Sequence, residues 1–335
     1  MNQPNDASGS IRPRQAPADV DVIILSWNRV EETIAAIASA AEQEGVSKKV
    51  MVVDQGSEPA SLARLEQGIA SLPDVVLLKL GRNSGVAGGR NIASALGSSP
   101  CIVALDSDAV FAGRQVLAKV VRQLETHPEL CALGFRISNY FTGQNDETSW
   151  DYSAERRPDQ TFASTRFIGA GHAIRRQVFE GVGGYDDRLF FCGEEVDLCY
   201  RMLNTGQRIQ YFADAQILHK VSPEHRVYWG KGRFFYTVRN NLYSMYKFNA
   251  PLPRLGLAAT AFLVKACANG IPSAAVRGIR EAVRMCSAYR REVPDKSAYR
   301  LSEDTWRYIN EMEPWRKQGL VRKAMRQLRL LPHQS

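Results

Sequence analysis

Two aspartates separated by a single serine stand directly after a short apolar run. Asp106 and Asp108 follow CIVAL (101–105), which has the composition of a buried strand. Carboxylates this close raise each other's pKa unless a cation lies between them. Oxygen ligands of this kind suit Mg²⁺ or Mn²⁺, which commonly bridge protein carboxylates to substrate phosphates. A solvated turn is the alternative, because Asp is common in turns, but the strand-end position favours a metal site.

A second acidic cluster opens a predicted helix. Glu194, Glu195 and Asp197 precede an apolar helical pattern and directly follow the apolar segment LFFCG (189–193). Carboxylates in a first turn each gain roughly 0.3–1 kcal/mol from the helix dipole, which explains one or two of the three. The apolar segment is expected to hold the cluster at a partly desolvated rim, where the pKa of a carboxyl rises toward that of a general base. All three are therefore candidates for proton abstraction.

A glycine-rich stretch, GRNSGVAGGRN (81–91), separates two predicted strands. Glycine permits close backbone approach to a phosphate, and a following helix N-terminus favours an anion. The glycine order departs from G-x-G-x-x-G, so the motif alone is weak, and a packing role for Gly88 and Gly89 fits equally well. Arg82 and Arg90 suit a phosphate or a nucleobase edge, although exposed arginines are usually just solvated.

His219 ends an apparent strand at 215–218. A lone histidine is more often structural than ligating, yet imidazole is a common metal ligand. The residue is therefore a candidate ligand with a structural alternative.

Alternating strands and helices are predicted to position these side chains. Apolar runs at 21–25, 50–53, 75–80 and 101–105 are separated by helical patterns, which is typical of a parallel sheet covered on both faces. In such sheets the functional loops lie beyond the C-terminal strand ends. The residues expected to meet there are Ser26, Trp27, Asn28, Asp54, Gln55, Gly56, Ser57, Gly81, Arg82, Asn83, Asp106, Ser107 and Asp108.

The composition is that of a globular, intracellular protein. The 335 residues are 44% hydrophobic and 23% charged, and the six cysteines form no C-x-x-C pair, which predicts reduced, buried thiols. Residues 1–18 are polar and predict a disordered leader rather than a signal peptide. The longest apolar stretch, 255–271, contains Lys265 and is too weak for a membrane span. A cytoplasmic location is therefore expected.

The positive charge is concentrated in the C-terminal region. Residues 251–335 hold 16 basic and seven acidic groups, whereas residues 1–250 hold 27 basic and 28 acidic groups. A peripheral contact with an anionic membrane is one interpretation, with an apolar face supplied by Leu255, Leu257, Phe262, Leu263 and Val264. A helical bundle with solvated arginines and a homo-oligomer interface are the alternatives. Nucleic acid is not an expected partner, because stacking aromatics and a recognisable module are missing.

These pieces, taken together and in order, resemble glycosyltransferase family 2, the inverting nucleotide-sugar enzymes of the GT-A fold. The resemblance is closest to the rhamnosyl- and galactofuranosyl-transferase-like branch and covers about residues 20–250. Its motifs are VIILSWNR (22–29), VVDQGS (52–57), GRNSGVAGGRN (81–91), ALDSDAVF (104–111), the block 184–206, His219 and KGRFFYTVRNNLYSMYKF (231–248).

The resemblance implies an α/β fold, a Rossmann-like and mostly parallel sheet with helices on both faces. A GT-A catalytic domain is expected over 19–225, with its nucleotide-binding half at about 19–135 and its acceptor half at about 136–225. A basic helical region would follow over 226–335.

The resemblance also assigns roles by position. Asp106 and Asp108 match the family's D-x-D element, which holds a divalent metal, Mn²⁺ or Mg²⁺, on the donor diphosphate, and His219 matches a histidine that joins the metal in some members. Gln55 stands where members often have a second Asp, and its amide can still bond a pyrimidine edge. The implied nucleotide-binding residues are Ser26, Trp27, Asn28, Asp54, Gln55, Arg82, Asn83, Gly88, Arg90, Asp106 and Ser107.

Glu195 matches the Asp of the family's Glu-Asp pair, the usual catalytic base. The change to Glu extends the side chain by one methylene, so Glu194 and Asp197 stay as alternatives, with Glu195 preferred. The implied function is transfer of a sugar from a UDP- or dTDP-sugar to a hydroxyl of a glycan, glycolipid or other acceptor, in cell-surface polysaccharide synthesis. A nucleotidyltransferase and a non-catalytic sugar-nucleotide-binding scaffold are the competing hypotheses.

Overall fold

A single mixed sheet carries the loops that bear the predicted site. The computed structural model describes residues 18–147, 149–153, 155–220, 232–293, 295 and 300–313, so the predicted leader, apart from Ala18, and the predicted domain boundary at 225 lie outside the described residues. In the described chain the strands are β1 Val20–Ser26, β2 Lys48–Asp54, β3 Val75–Lys79, β4 Cys101–Leu105, β5 Ala109–Phe111, β6 Leu130–Asn139, β7 Phe162–Ser164, β8 Gly171–Arg175 and β9 Arg208–His219.

The helices follow the predicted alternation with strands and then continue as a helical region. They are α1 Val30–Ala41, α2 Pro59–Ile69, α3 Gly85–Ala95, α4 Val116–Thr126, α5 Arg176–Gly181, α6 Glu194–Leu203, α7 Arg233–Lys247, α8 Leu252–Ala268, α9 Pro272–Glu292 and α10 Glu303–Met312. A short 3-10 turn, Asp187–Leu189, precedes α6.

The strand order is β3-β2-β1-β4-β8-β6-β9-β5, and β7 also pairs with β9. Strands β1 to β4 are parallel to one another, as the sequence predicts, and β6 is parallel to β9. Strands β5, β7 and β8 run antiparallel to their neighbours. The polar ends of β1, β2, β3 and β4 therefore meet at one edge of the sheet, which confirms the predicted α/β architecture.

Both faces of the sheet are covered, which explains why its strands are continuously apolar rather than alternating. Side chains alternate across a strand, and Val22 and Ile24 belong to one buried cluster whereas Ile23 belongs to another on the opposite face. The same alternation separates Val52 from Val53 on β2. Each cluster is closed by helices, so the sheet lies in the middle of a three-layer core.

Helices α7, α8 and α9 form a separate apolar cluster. Phe234, Val238 and Leu242 of α7 pack with Ala266 of α8 and Ala275 of α9. The apolar face predicted for α8 is divided by this packing. Leu255, Phe262 and Leu263 contact this cluster, whereas Leu257 and Val264 are 44% and 59% exposed. Among the described helices none is both long and apolar enough to cross a bilayer.

All six cysteines are free thiols. Cys101, Cys131 and Cys199 are buried, and Cys192 and Cys286 are partly buried. Cys267 is exposed on α8, so the prediction of burial is wrong for that residue, because the outer side of α8 is not covered.

Candidate active site

Strand pairing brings His219 to the D-x-D segment. Asp106 and Asp108 follow β4, and Ala109, the first residue of β5, pairs in register with His219 at the end of β9. His219 Nε2 lies 3.3 Å from Asp108 Oδ1. Ligand atoms of Asp106, Asp108 and His219 all lie within 4.8 Å of one another. Residues that are 111 positions apart in the chain thus form one cluster of two carboxylates and an imidazole.

Asp146 supports the imidazole from its other side, a contact that the sequence did not reveal. His219 Nδ1 lies 3.4 Å from Asp146 Oδ2, and Asp146 is buried. A carboxylate on one ring nitrogen orients the other nitrogen toward a metal. Asp146 lies in the irregular segment after β6, which offered only turn-forming residues as a signal, so its role could be found only from the fold.

The cluster is strongly polarised. Burial alone would lower the pKa of His219, but hydrogen bonds with Asp108 and Asp146 and the charges of Asp108 and Asp106 raise that pKa to about 10. Burial alone would raise the pKa of Asp108, but His219 and Arg29 lower it, and Arg29 forms an ion pair with Asp108. Asp108 is thus held ionised between two cations.

The donor set fits a hard divalent cation. Carboxylate oxygens with one imidazole nitrogen are ligands that Mn²⁺ accepts, and Mg²⁺ binds carboxylates together with substrate phosphates. Asp106, Asp108 and His219 are the residues that would hold it, with Nε2 as the ligating nitrogen because Nδ1 faces Asp146.

Arg90 joins this cluster to the acidic helix α6. Its guanidinium donates to Asp106 Oδ1 at 2.9 Å, to Glu195 Oε1 at 3.2 Å and to the carbonyl of Gly169 at 2.8 Å. Asp106 and Glu195 are therefore bound to one cation and lie beside each other. Burial alone would lower the pKa of Arg90, but Tyr185, Asp106 and Glu195 raise it, so its charge is permanent.

The position of Arg90 adds a contact that the sequence did not predict. Arg90 is only 3% exposed, because it lies on the inner side of α3 under the two carboxylates. Its guanidinium orients the two acids, and its contact with a nucleotide stays a prediction. The bonds to Asp106 and Glu195 use both of its terminal nitrogens.

Gly169 is a second residue that the sequence did not reveal. A Cβ at this position would lie 2.2 Å from Glu195 Oε1, which is far inside van der Waals contact. The glycine lies two residues before β8 and leaves the space that the Glu195 carboxylate occupies.

The three acidic residues of α6 occupy different environments. The side chain of Glu195 is 18% exposed and contacts Arg90. Glu194 is buried, and burial together with the neighbouring charge of Glu195 raises the pKa of Glu194 well above its usual value. The protonated form of Glu194 is therefore favoured relative to that of an exposed carboxyl group.

Asp197 points away from this cluster into the protein. It is fully buried and pairs with Arg201 at 2.7 Å and with Lys247 of α7 at 2.8 Å. A base must reach the substrate proton, so the structure removes Asp197 from the candidates. Its function is to fix α6 to α7.

The loops after β1 and β2 are bonded to each other. Asp54 is buried, and its Oδ2 accepts hydrogen bonds from the backbone N–H groups of Gly56 and Ser57. Asn28 adopts a left-handed conformation with φ of 61°, and its Oδ1 accepts from Glu58 N at 2.8 Å. The backbone N–H of Gln55 donates to the carbonyl of Ser26. These residues shape a loop edge beside which Trp27 is exposed.

The loop after β3 is held by Gln55 and Asn83. Gln55 Oε1 accepts from Ser84 N at 2.9 Å, and Asn83 Oδ1 accepts from Gly85 N at 2.8 Å. Arg82 is exposed at the same edge, and Ser107 is half-buried between the two aspartates. Gln55 thus holds the N-terminus of α3 through its side-chain amide oxygen. The family resemblance predicts that the same amide contacts a nucleobase.

Gly88 and Gly89 serve packing. Both are buried in α3, and a Cβ on Gly89 would lie 3.0 Å from Leu25 of β1. A Cβ on Gly88 would meet Ser84 at 3.3 Å and Asp187 at 3.8 Å. The structure therefore favours the packing alternative over the nucleotide contact predicted for Gly88.

The described fold is shared with solved nucleotide-sugar enzymes. A mannosyltransferase from Pyrobaculum calidifontis, solved in complex with GDP-Man and Mn²⁺, is 17% identical, with a TM-score of 0.56 over 94% of this chain and 88% of that one. At this identity the likeness shows the fold alone. It defines the class of fold, which is the GT-A type.

Sequence relatives narrow the class to a family. Residues 21–183 match the model of Glycosyl transferase family 2, so the chain carries a family 2 glycosyltransferase domain and the predicted family is confirmed. The dTDP-rhamnosyl transferase RfbF of Shigella flexneri is 24% identical over 70% of this chain and 82% of its own length. A Pre-mycofactocin glycosyltransferase of Mycobacterium tuberculosis is 26% identical over 67% of this chain, which spans only 48% of that relative.

Proposed function

We propose that the protein transfers a sugar from a nucleoside-diphosphate donor to an acceptor hydroxyl with inversion at the anomeric carbon. The observation that carries the proposal is the bridge made by Arg90, which holds the carboxylates of Asp106 and Glu195 within hydrogen-bond distance of one guanidinium. The proposed cation site and the partly exposed proposed base thereby lie beside each other. Transfer between a diphosphate and a hydroxyl needs both at the same place.

Glu195 is the proposed base. Its carboxylate accepts the proton of the attacking hydroxyl, and the ion pair with Arg90 orients it. Asp106, Asp108 and His219 would hold Mn²⁺ or Mg²⁺, which when bound supplies positive charge against the departing diphosphate. A single displacement forms the bond from the acceptor oxygen to the anomeric carbon and breaks the bond to the diphosphate. The configuration therefore inverts.

The donor proposed is a UDP- or dTDP-sugar. The relative RfbF is described as a dTDP-rhamnosyl transferase, and the edge formed by Trp27, Asn28, Asp54 and Arg82 lies at the ends of β1, β2 and β3. A ligand bound there and at Asp106 would span the sheet edge with its base at one end and its diphosphate at the other. The acceptor proposed is a hydroxyl of a glycan or glycolipid in cell-surface polysaccharide synthesis.

The direct test is a panel of UDP-, dTDP- and GDP-sugars with Mn²⁺ or Mg²⁺. Release of nucleoside diphosphate is expected with at least one of them. Release of pyrophosphate from a nucleoside triphosphate and a sugar phosphate would point to a nucleotidyltransferase instead. No product from any donor would contradict the proposal.

The variant Glu195→Gln tests the base. It keeps the size of the side chain and removes the proton acceptor, so kcat should fall by about 10²–10⁴-fold while donor affinity changes little. Glu129→Gln, an exposed residue before β6, makes the same charge change and should leave kcat unaltered. An unchanged rate in Glu195→Gln would move the base elsewhere.

A peripheral membrane contact through α8 is proposed as a partner interaction. Leu257 and Val264 are exposed on α8, and the sequence from Pro251 to Arg280 contains four basic residues and no acidic one. Exposed apolar groups on a locally basic segment suit an anionic bilayer surface. Flotation with anionic but not neutral liposomes is expected. Self-association without flotation would favour the homo-oligomer alternative.

A further inference from the structure

The loop that precedes the proposed base has an unusual backbone. Phe190, Cys192 and Gly193 have φ angles of 58°, 70° and 89°, so two non-glycine residues lie in the left-handed region. The backbone N–H of Phe191 donates to the carbonyl of Leu189 at 2.6 Å, which closes a tight turn around Phe190. Side chains with a Cβ disfavour this region, and such a backbone persists only where its surroundings hold it. Something outside the loop must therefore supply that restraint.

A single side chain on α7 bonds the loop along its length. Asn240 Nδ2 lies 2.9 Å from the carbonyl oxygen of Leu189, 2.8 Å from that of Phe191 and 2.6 Å from that of Cys192. Asn240 is 2% exposed, and its Oδ1 accepts a hydrogen bond from Arg239 Nε at 2.8 Å. The amide is thus oriented so that its donors face the three carbonyl groups.

The rest of the same helix face holds the segment on both sides of the loop. Residues three and seven positions after Asn240 lie on one face of a helix with it. Tyr243 donates to Asp186 at 2.9 Å, and Lys247 contacts Asp186 and Asp197, both at 2.8 Å. Helix α7 therefore bonds to the chain at three places: before the loop, along the loop and in the first turn of α6.

The loop also contacts α3, the helix that carries Arg90, the ion-pair partner of Glu195. The carbonyl of Phe190 accepts from Val86 N at 2.6 Å, at the start of α3. A Cβ on Gly85 would lie 2.4 Å from that carbonyl oxygen, so the approach is close. Arg90, one turn further along α3, forms the ion pair with Glu195. Displacement of the loop would alter both the start of α6 and its distance from Arg90.

We propose that Asn240 is a positioning residue for Glu195: its amide holds the loop at 189–193 in the conformation that sets the carboxylate beside Arg90 and Asp106. This rests on the proposed function of Glu195 as the base. Asn240 itself touches no reacting atom. Its effect passes through the backbone of the loop. Loss of the amide should therefore lower kcat rather than donor affinity, because the donor is proposed to bind at the ends of β1 to β4.

The test is Asn240→Asp with Asn241→Asp as its matched control. Aspartate keeps the shape of Asn240, loses its N–H donors and places an oxygen against three carbonyl oxygens. Asn241 is the next residue on α7, exposed and bonded only to the carbonyl of Thr237 among its side-chain hydrogen bonds in the described residues. Both variants add one negative charge to the same helix, and only one disturbs the loop.

Three measurements on the full chain decide the proposal. Amide hydrogen exchange at 190–197 should be at least tenfold faster in Asn240→Asp and unchanged in Asn241→Asp. The kcat for nucleoside diphosphate release, with the donor selected by the panel, should fall by about 10²-fold, because a displacement of about 1 Å at a reacting group has that effect. The Kd of the donor with Mn²⁺ should stay within about twofold by the same argument, since the diphosphate site is not displaced.

Unchanged exchange, unchanged kcat, or a parallel loss of kcat, donor affinity and thermal stability would each overturn the proposal. If Asn240→Asp does not fold, Asn240→Ala gives the same three readouts without the added charge. If the wild-type protein turns over no donor, the proposed function fails, while hydrogen exchange still decides whether Asn240 holds the loop.

Discussion

Glu194 and Glu195 are adjacent in the chain but differ in their electrostatic surroundings. Glu194 is buried beside a like charge, which raises its pKa, whereas Glu195 contacts the guanidinium of Arg90 and is partly exposed. Two neighbouring carboxyl groups are thus separated into one whose protonated form is favoured and one that is a partly exposed acceptor. The proposed division of roles rests on burial and partners, not on residue type.

Replacing Glu194 with Gln should stabilise the protein as the pH rises. The folded-state pKa of Glu194 is raised, so the stability it contributes is present below its unfolded pKa near 4.5 and is lost as the pH rises through the folded value. Gln carries no proton to lose. The variant should therefore have a higher Tm than the wild type at pH 8 and an equal Tm near pH 4. An equal difference at both pH values would show that Glu194 is not held neutral.

The raised pKa of His219 predicts a pH-dependent metal affinity. At pH values below about 10 the metal-free imidazole is protonated, and its Nε2 must release that proton in order to bind a metal. Mn²⁺ binding in the presence of UDP should therefore tighten by up to about tenfold per pH unit between pH 6 and 8. His219→Asn should reduce this slope when titrations at both pH values are compared. The same slope in the variant would exclude His219 as a ligand.

At the scale of elements, α6 depends on α7 for its position. Lys247 lies between the carboxylates of Asp186 and Asp197, and all three are buried. Asp197 also pairs with Arg201 within α6. Buried charges need partners because each has lost its hydration, so this network fixes one relative placement of the two helices. The acidic helix that the sequence singled out is thereby held by a helix from the following region.

Removing the shared cation should destabilise the whole protein. Lys247→Met keeps the length of the side chain and leaves two buried carboxylates with fewer compensating charges, so the free energy of unfolding should fall by roughly 3–5 kcal/mol. Lys119→Met, on the exposed side of α4, should change it by less than about 0.5 kcal/mol. Urea denaturation of both variants measures the difference. Equal stabilities would mean that the network does not hold α6 in place.

At the scale of the molecule, a ligand that binds at the sheet edge should stabilise the fold. UDP with Mn²⁺ bound at 100 times its Kd should add about 2.7 kcal/mol to the free energy of unfolding. A chelator should abolish the gain, and Asp108→Ala should remove it together with metal-dependent transfer, without loss of the folded state. Thermal shifts of wild type and variant with UDP, Mn²⁺ and chelator measure this. Equal transfer with and without chelator would contradict a metal-dependent reaction.

The site assembles from distant parts of the chain, and these differ in how far they could be predicted. Asp106 and Asp108 follow an apolar strand, and Glu195 opens an amphipathic helix, so local pattern alone singles them out. Gly169, Asp146 and Asn240 have no such local signal. Gly169 matters because a Cβ there would clash with Glu195, and Asp146 matters because it contacts the ring nitrogen Nδ1 of His219. Asn240 matters because it donates to three backbone carbonyl groups.

The amino-acid sequence by itself determined the strands of the parallel half, the helices between them, and the two acidic segments, because hydrophobic periodicity and strand-end chemistry are local properties. Only the tertiary structure decided that Arg90 lies beneath the acids, that Asp197 is a buried structural ion, and that α7 holds the loop before Glu195. These outcomes depend on burial and on partners far away in the chain, and no local pattern encodes which distant residue fills a given space.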